Sequence, residues 1–304
     1  SKSRLASINS TWLSRSVLGP VAGGLAALAY AGYPALIYQT TQVSASNFYL
    51  LLEIVTLGLL IAASRRSGPM WAIGAGVTLG LVGLLRAEAV LLVVLAAAWL
   101  AWSRRRSGRA LVRPVATVLV LGLLLPMAWT ARNSVVLERF VPTLTTSGGL
   151  NLWLGNAVGA TGGIGEPPMP AALQERLDAL PATTDYEVRR DAAFREAALE
   201  DMAADPVGVI ARDLRKVAFM VTVDLNDDRA RTPLAILPWL VLAVLGVLGI
   251  ARVPLRGDVR ALLLGYIAFT FVVTAGFFAL GRFKLAIEFP MMVFAAGYVA
   301  QRLG

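Results

Sequence analysis

Residues 132–155 read RNSVVLERFVPTLTTSGGLNLWLG. They follow directly on residues 111–131, an apolar run long enough to cross a bilayer. A segment rich in Gly, Ser, Thr and Asn, with Trp153 reading as exposed, is suited to lie against a membrane face and meet something there. The rest of the chain repeats the contrast between apolar blocks and polar joints.

Of the 304 residues, 57% are apolar and 15% charged, against about half and about a quarter in a soluble globular protein. The excess falls in discrete blocks, which predicts an all-α, polytopic integral membrane protein. Eight runs approach spanning length: 17–38, 48–63, 70–85, 89–102, 111–131, 234–250, 261–280 and 286–300. The third and fourth, joined by Arg86-Ala87-Glu88, read as a helical hairpin. Transmembrane helices one to five thus occupy 1–131, an extramembrane domain 132–233, and helices six to eight 234–304. The GxxxG pairs Gly19–Gly23 and Gly76–Gly80 predict close helix packing.

Basic residues test this count, because Lys and Arg accumulate in cytoplasmic loops. With Lys2, Arg4 and Arg15 inside, the other inner connections hold Arg65-Arg66, then Arg104-Arg105-Arg106 with Arg109 and Arg113, then Arg252, Arg256 and Arg260. Arg302 is also inside. Both termini are predicted to be cytoplasmic, and 132–233 to form a small, mostly helical periplasmic domain of a bacterial inner-membrane protein. The net charge of +9 is thereby a matter of topology. No basic helix or aromatic-interleaved basic patch points to nucleic acid. The sequon Asn9-Ser10-Thr11 falls on the cytoplasmic side. Ser1 opens the chain without a cleavable leader, which suggests a truncated or processed N-terminus.

Within the outer segment a Gly-rich start is followed by a short helix, 171–180. A capping box at Thr184-Asp185-Tyr186-Glu187 opens a second helix, which runs to Ala204 with a stripe of Phe194, Ala198 and Met202. A third, from Val207 to about Val223, mixes Arg212, Arg215 and Lys216 with apolar residues and reads as an interfacial helix with its basic side towards headgroups.

The chain has no cysteine and no histidine. Thiol nucleophiles, His general bases and the usual zinc or haem sites are therefore excluded, leaving carboxylates, Arg/Lys, amides, hydroxyls or a carboxylate-bound metal. No metal or other cofactor is indicated. Charges at the outer helix ends are Arg86 and Glu88, Arg132 with Asn133, and Arg282, Lys284 and Glu288. Arg139, Arg215 and Lys216 lie on the same predicted side, while Glu53 lies inside the second span. Arginine forks suit phosphate oxygens, so cations from four outer loops predict an anion site at the bilayer surface. Glu88 and Glu288 could orient those arginines, hold a metal or neutralise charge. The Gly-rich segment lacks GKS/GKT and is no P-loop. It is either a flexible turn or a flap over a sugar or isoprenoid, with Asn151, Trp153 and Asn156 as its polar and aromatic contacts.

Several motifs resemble the bacterial family 39-type glycosyltransferases of the GT-C superfamily, membrane enzymes that use polyprenyl-phosphate-linked sugars. Tyr33-Pro34-Ala-Leu-Ile-Tyr38 is similar to the family's YPxLIY, and Leu85-Arg86-Ala87-Glu88-Ala89 to its R-P-E-A turn, with Ala87 in place of Pro. Pro126, Trp129, Arg132-Asn133 and Phe140-Val141-Pro142 resemble PWxxRN…FVP. Thr146 to Trp153 with Gly155-Asn156 resembles S-x-GG-x-N-L-W-x-GN. Asp205-Pro206 with Asp213-Leu-Arg215-Lys216 resembles ENP…RK, and Arg282-Phe283-Lys284 resembles RFRLPxxP. The resemblance implies that Arg86, Arg132, Lys216, Arg282 and Lys284 bind the donor phosphate, supported by Glu88, Asn133, Asn151, Trp153, Asn156 and Glu288.

The family's catalytic aspartate lies in a first outer loop ahead of YPxLIY, which this chain begins too late to contain. The Ser-Glu pair of the next span is here Ser46-Asn47. The resemblance therefore implies a donor-lipid site without its acid/base, and binding without transfer by this chain alone. Two roles follow. One is a glycosyltransferase completed by an upstream segment or a protein partner, moving sugar to a lipid or protein acceptor. The other is a non-catalytic subunit that keeps the fold to bind lipid or to assemble a larger complex.

Overall fold

The structure is a computed structural model that describes residues 18–141, 143–163, 165–222 and 231–303. Lys2, Arg4, Arg15, the Asn9 sequon, the first residue of the run 17–38 and Pro142 of the FVP element lie outside the described residues. Among those described there are thirteen α-helices and no strand. They are α1 (Pro20–Gly32), α2 (Pro34–Thr41), α3 (Ser46–Arg65), α4 (Pro69–Leu85), α5 (Val90–Arg106), α6 (Val112–Val136), α7 (Gly148–Asn156), α8 (Ala171–Asp178), α9 (Tyr186–Ala204), α10 (Pro206–Val221), α11 (Pro233–Arg252), α12 (Gly257–Gly276) and α13 (Gly281–Leu303).

Among the described residues, six segments are long and apolar enough to cross a membrane: α3, the Ala87–Arg106 segment containing α5, α6, α11, α12 and α13. The run 17–38 is broken into α1 and α2, bent by 51°. Pro34 is the cause: it supplies no N–H, and it holds Tyr33 extended at φ −73°, ψ 118°. Counted as one, this pair would make a seventh span. Helix α4 has 17 residues and, at 1.5 Å each, covers only about 25 Å.

The chain divides into two compact units. Unit one comprises Ser1–Pro126, Thr232–Phe269 and Leu285–Gly304; unit two comprises Met127–Arg231 and Thr270–Lys284. Unit one is built on small residues. Glycines let backbones approach closely where no aqueous driving force presses helices together. A Cβ on Gly76 of α4 would lie 2.8 Å from Leu121 Cβ of α6, and one on Gly122 of α6 would lie 2.7 Å from Val93 of α5. The Gly76–Gly80 expectation is met, since both residues face α6. Gly19 is different: it precedes α1 at φ +92° with nothing within 4 Å, so its role is backbone conformation rather than packing. Helix α13 is the most enclosed, buried continuously over Leu285–Gly297, whereas only 17% of the apolar stretch of α6 is buried.

Unit two packs α7 and α8 on α9. Trp153 meets Phe194 with ring centroids 5.3 Å apart, and Ala157, Leu173, Ala197 and Ala198 close the cluster. The predicted stripe on α9 is therefore core at Phe194 and Ala198, with Met202 half-buried. The capping box does not form. The N-cap is Asp185, whose carboxylate is held by the side chains of Arg139, Arg189 and Thr183 instead of by the first backbone N–H groups of its helix. Helix α10 departs from the expected orientation at two of its three basic residues. Arg212 and Lys216 turn inward with Met220, while Arg215 is exposed together with Val207, Ile210, Leu214 and Val221.

Candidate functional site

The predicted site residues fall in both units. Arg86, Glu88 and Glu288 belong to unit one. Arg132, Asn133, Asn151, Trp153, Asn156, Lys216, Arg282 and Lys284 belong to unit two.

In unit one, Arg86 ends α4 and Glu88 lies in the single 3₁₀ turn leading to α5, their side chains 3.4 Å apart. The Arg86 guanidinium also lies 4.8 Å above the Tyr49 ring, a contact that holds it without consuming its in-plane N–H groups. Glu53, one turn beyond Tyr49 on α3, is 5% exposed, with the Tyr49 and Tyr266 hydroxyls as its polar neighbours. Glu288 is 3% exposed and accepts a hydrogen bond of 3.0 Å from the Tyr33 hydroxyl. It is an internal residue of α13, tied to the proline break between α1 and α2.

In unit two the sequence overstates the reach of Trp153, of the Gly148-Gly149 pair and of Lys216. Trp153 is 2% exposed: it is core, not a contact surface. Gly148-Gly149 is neither a loose turn nor a flap but the start of α7, whose free N–H groups are taken by Asp191 Oδ1, at 2.6 Å from Gly149 N and 3.3 Å from Leu150 N. Lys216 is fully buried and donates to Asn156 Oδ1 at 2.8 Å, Asp213 Oδ1 at 2.9 Å and the Ala275 carbonyl at 2.7 Å. An ammonium has three N–H bonds. All three are engaged here, and none remains for a phosphate. Burial pushes the Lys216 ammonium below the usual lysine range, while its hydrogen bond to Asp213 acts the other way. Asn156 completes the knot, donating from Nδ2 to the Leu152 and Gly276 carbonyls.

Of the unit-two cations predicted to bind phosphate, those that stay accessible are Arg132, Arg282 and, half-exposed, Lys284. Arg132 lies 4.8 Å over Trp129 and donates to Asn133 Oδ1 at 3.0 Å; among the described residues it makes no ion pair. Asn133 is buried and donates to the Leu144 carbonyl. Arg282 lies 5.6 Å from the Phe283 ring centroid, and Lys284 donates to the Thr222 carbonyl at 2.6 Å. Asn151 is half-buried in the first turn of α7. Arg139 is committed to Asp185 at 2.9 Å.

Sequence reasoning missed Asp191 and Asp205, which cap α7 and α10; Asp205 Oδ1 accepts from Gly208 N at 2.8 Å. Asp205-Pro206 carried a signal, since Pro is favoured at a helix's first position and Asp at its cap. Asp191 carried none, lying 42 residues from its partner. Among the described residues no group of three or more acidic, His or Cys side chains is placed to hold a metal.

The helices and their apolar lengths define a multi-pass helical membrane protein. Compared with models of known families, with curated proteins and with solved structures, the chain matches none.

Proposed function

We propose that this protein binds a polyprenyl-phosphate-linked sugar at the periplasmic face of the bacterial inner membrane, in the manner of a GT-C glycosyltransferase, and serves sugar transfer to a lipid or protein acceptor. One observation carries the reading. Arg132 and Arg282 are exposed and braced against aromatic rings, each at the end of an apolar helix. The planar fork of a guanidinium matches phosphate oxygens at the lipid boundary. Lys284 adds charge nearby in sequence; Lys216 has no part in the reading. The motif resemblance over 126–156 and 282–288 points the same way.

The reading includes eight spans, with α1–α2 counted as one and α4 as a short one, residues 132–233 on the periplasmic side, and both termini in the cytoplasm. Alternation of the basic loops supports it. Arg132→Ala or Arg282→Ala is expected to weaken binding of a polyprenyl phosphate by about 1.5–3 kcal/mol, the value of a charge-assisted hydrogen bond. Arg105→Ala, in a predicted cytoplasmic loop, leaves binding unchanged. Equal losses at all three positions reduce the binding to unspecific attraction to charge.

Burial of Trp153, Asn156 and Lys216 favours a second reading. Their shared pattern serves packing, and a fold preserved for packing suits a non-catalytic subunit that binds lipid or assembles a larger complex. Stoichiometric copurification with a partner, with no sugar transfer by the native complex, selects that reading.

A further inference from the structure

Unit one holds a cavity of about 180 Å³ among α3, α4, α5 and α12. Its walls are apolar, with Leu57, Leu79, Val82 and Leu92 among them, except at Glu53, Thr56 and Tyr266. Glu53 and Thr56 stand one turn apart on α3 and are 5% and 4% exposed. Glu53 Oε1 and Thr56 Oγ1 are buried and have no hydrogen-bond partner. The Tyr49 and Tyr266 hydroxyls act on the Glu53 carboxyl by hydrogen bonding, while its Oε1 is left without a partner. Two unsatisfied polar atoms in one apolar wall are costly, and native proteins keep such groups where a ligand or water completes them.

We propose that this cavity binds the hydroxyl end of an uncharged lipid alcohol that enters from the bilayer. A hydroxyl has one donor and additional acceptor capacity. It can donate to Glu53 Oε1 and accept from the Thr56 hydroxyl once the two side chains turn towards it. Glu53 is the eighth residue of α3, about 10 Å along the helix from Ser46. A charged headgroup is expensive at that depth, and an anion would also face the Glu53 carboxyl. The mouth lies where Leu95 is 50% exposed and Ala261 and Gly265 are exposed, between two helices of spanning length. Apolar cavities of about 150 Å³ stay dry and accept a benzene-sized molecule. This one takes a hydroxyl with a chain of about six to eight carbons, and any longer chain runs out through the mouth. The inference is independent of the phosphate reading, because none of these residues is among its cations.

The test uses the native chain in lipid nanodiscs with a diazirine-bearing octanol as photolabel. Label is expected on the cavity-lining peptides of α3, α5 and α12, displaced by octanol but not by octane or octanoate at equal membrane concentration. Glu53→Leu lowers labelling about fivefold, the equivalent of one net hydrogen bond. Glu53→Gln, which keeps an acceptor oxygen, retains it. Displacement by octane as effective as by octanol overturns the proposal and leaves a plain apolar void. Displacement by octanoate, or label spread evenly over lipid-facing helices, overturns it equally. If Glu53→Leu does not fold, the competition series on the native chain decides.

Discussion

Lys216 shows how a residue's chemistry depends on where the fold puts it. In sequence it is one of several cations beside a membrane. In the structure its ammonium bonds α7 through Asn156, its own helix through Asp213 and the end of α12 through the Ala275 carbonyl. Lys216→Met removes three hydrogen bonds of a buried ammonium and leaves the buried Asn156 Oδ1 without its donor. It is expected to destabilise unit two by about 2–4 kcal/mol, measured by thermal unfolding in detergent. Asp185 provides a pH test. Its hydrogen bonds from Arg189, Thr183 and Arg139 hold its carboxyl well below the usual range. A group depressed in the folded state contributes stability that is complete above its unfolded pKa, near 4, and is lost as pH falls further. Asp185→Asn should therefore lower the unfolding temperature at pH 6, and the gap to wild type should narrow below about pH 4. A gap that stays constant with pH would place the effect elsewhere.

At the scale of elements, glycine positions decide which helices touch. A Cβ on Gly155 would run into the Phe277 carbonyl, whereas one on Gly148, in the same helix, would meet nothing within 4 Å. Gly155→Ala is expected to cost about 3 kcal/mol or more through overpacking against backbone that cannot yield, and Gly148→Ala close to nothing; unfolding midpoints compare them. Helix α10 gives a second element-scale outcome. With Arg212 and Lys216 inward, Val207, Ile210, Leu214 and Val221 form an outward apolar row suited to lipid. An environment-sensitive dye on a cysteine replacing Leu214 should emit further to the blue in nanodiscs than one replacing Phe194's solvent-side neighbour Arg195. The amphipathic period of α10 was legible in its residues. Its orientation was not, because Lys216 finds its acceptors 59 and 60 positions away as well as within its own turn.

At the scale of the whole molecule, the arrangement of basic loops makes topology testable. Cysteines at Ser107 and Ser147 are expected to differ, with an impermeant reagent labelling Ser147 from the outside and Ser107 only after permeabilisation. The opposite pattern inverts the proposed orientation. Hydropathy located the spans but not always their ends: 261–280 is α12 at Gly257–Gly276, and 286–300 is α13 from Gly281. Hydropathy reports where lipid is tolerated, whereas a helix continues as long as its backbone bonds are made. Composition and apolar run length determined by themselves that the chain is helical and multi-pass, because a backbone in hydrocarbon must satisfy its own hydrogen bonds. Local chemistry also determined the small-residue contacts of α4, whereas the break at Pro34 divides a run, 17–38, that reads as one span. Tertiary structure alone decided that Trp153, Asn156 and Lys216 are interior, that Asp191 caps α7, and that Glu53 and Thr56 line one cavity. Burial and hydrogen-bond partnership are set by residues distant in the chain, and neither residue type nor spacing encodes which of those distant groups will arrive.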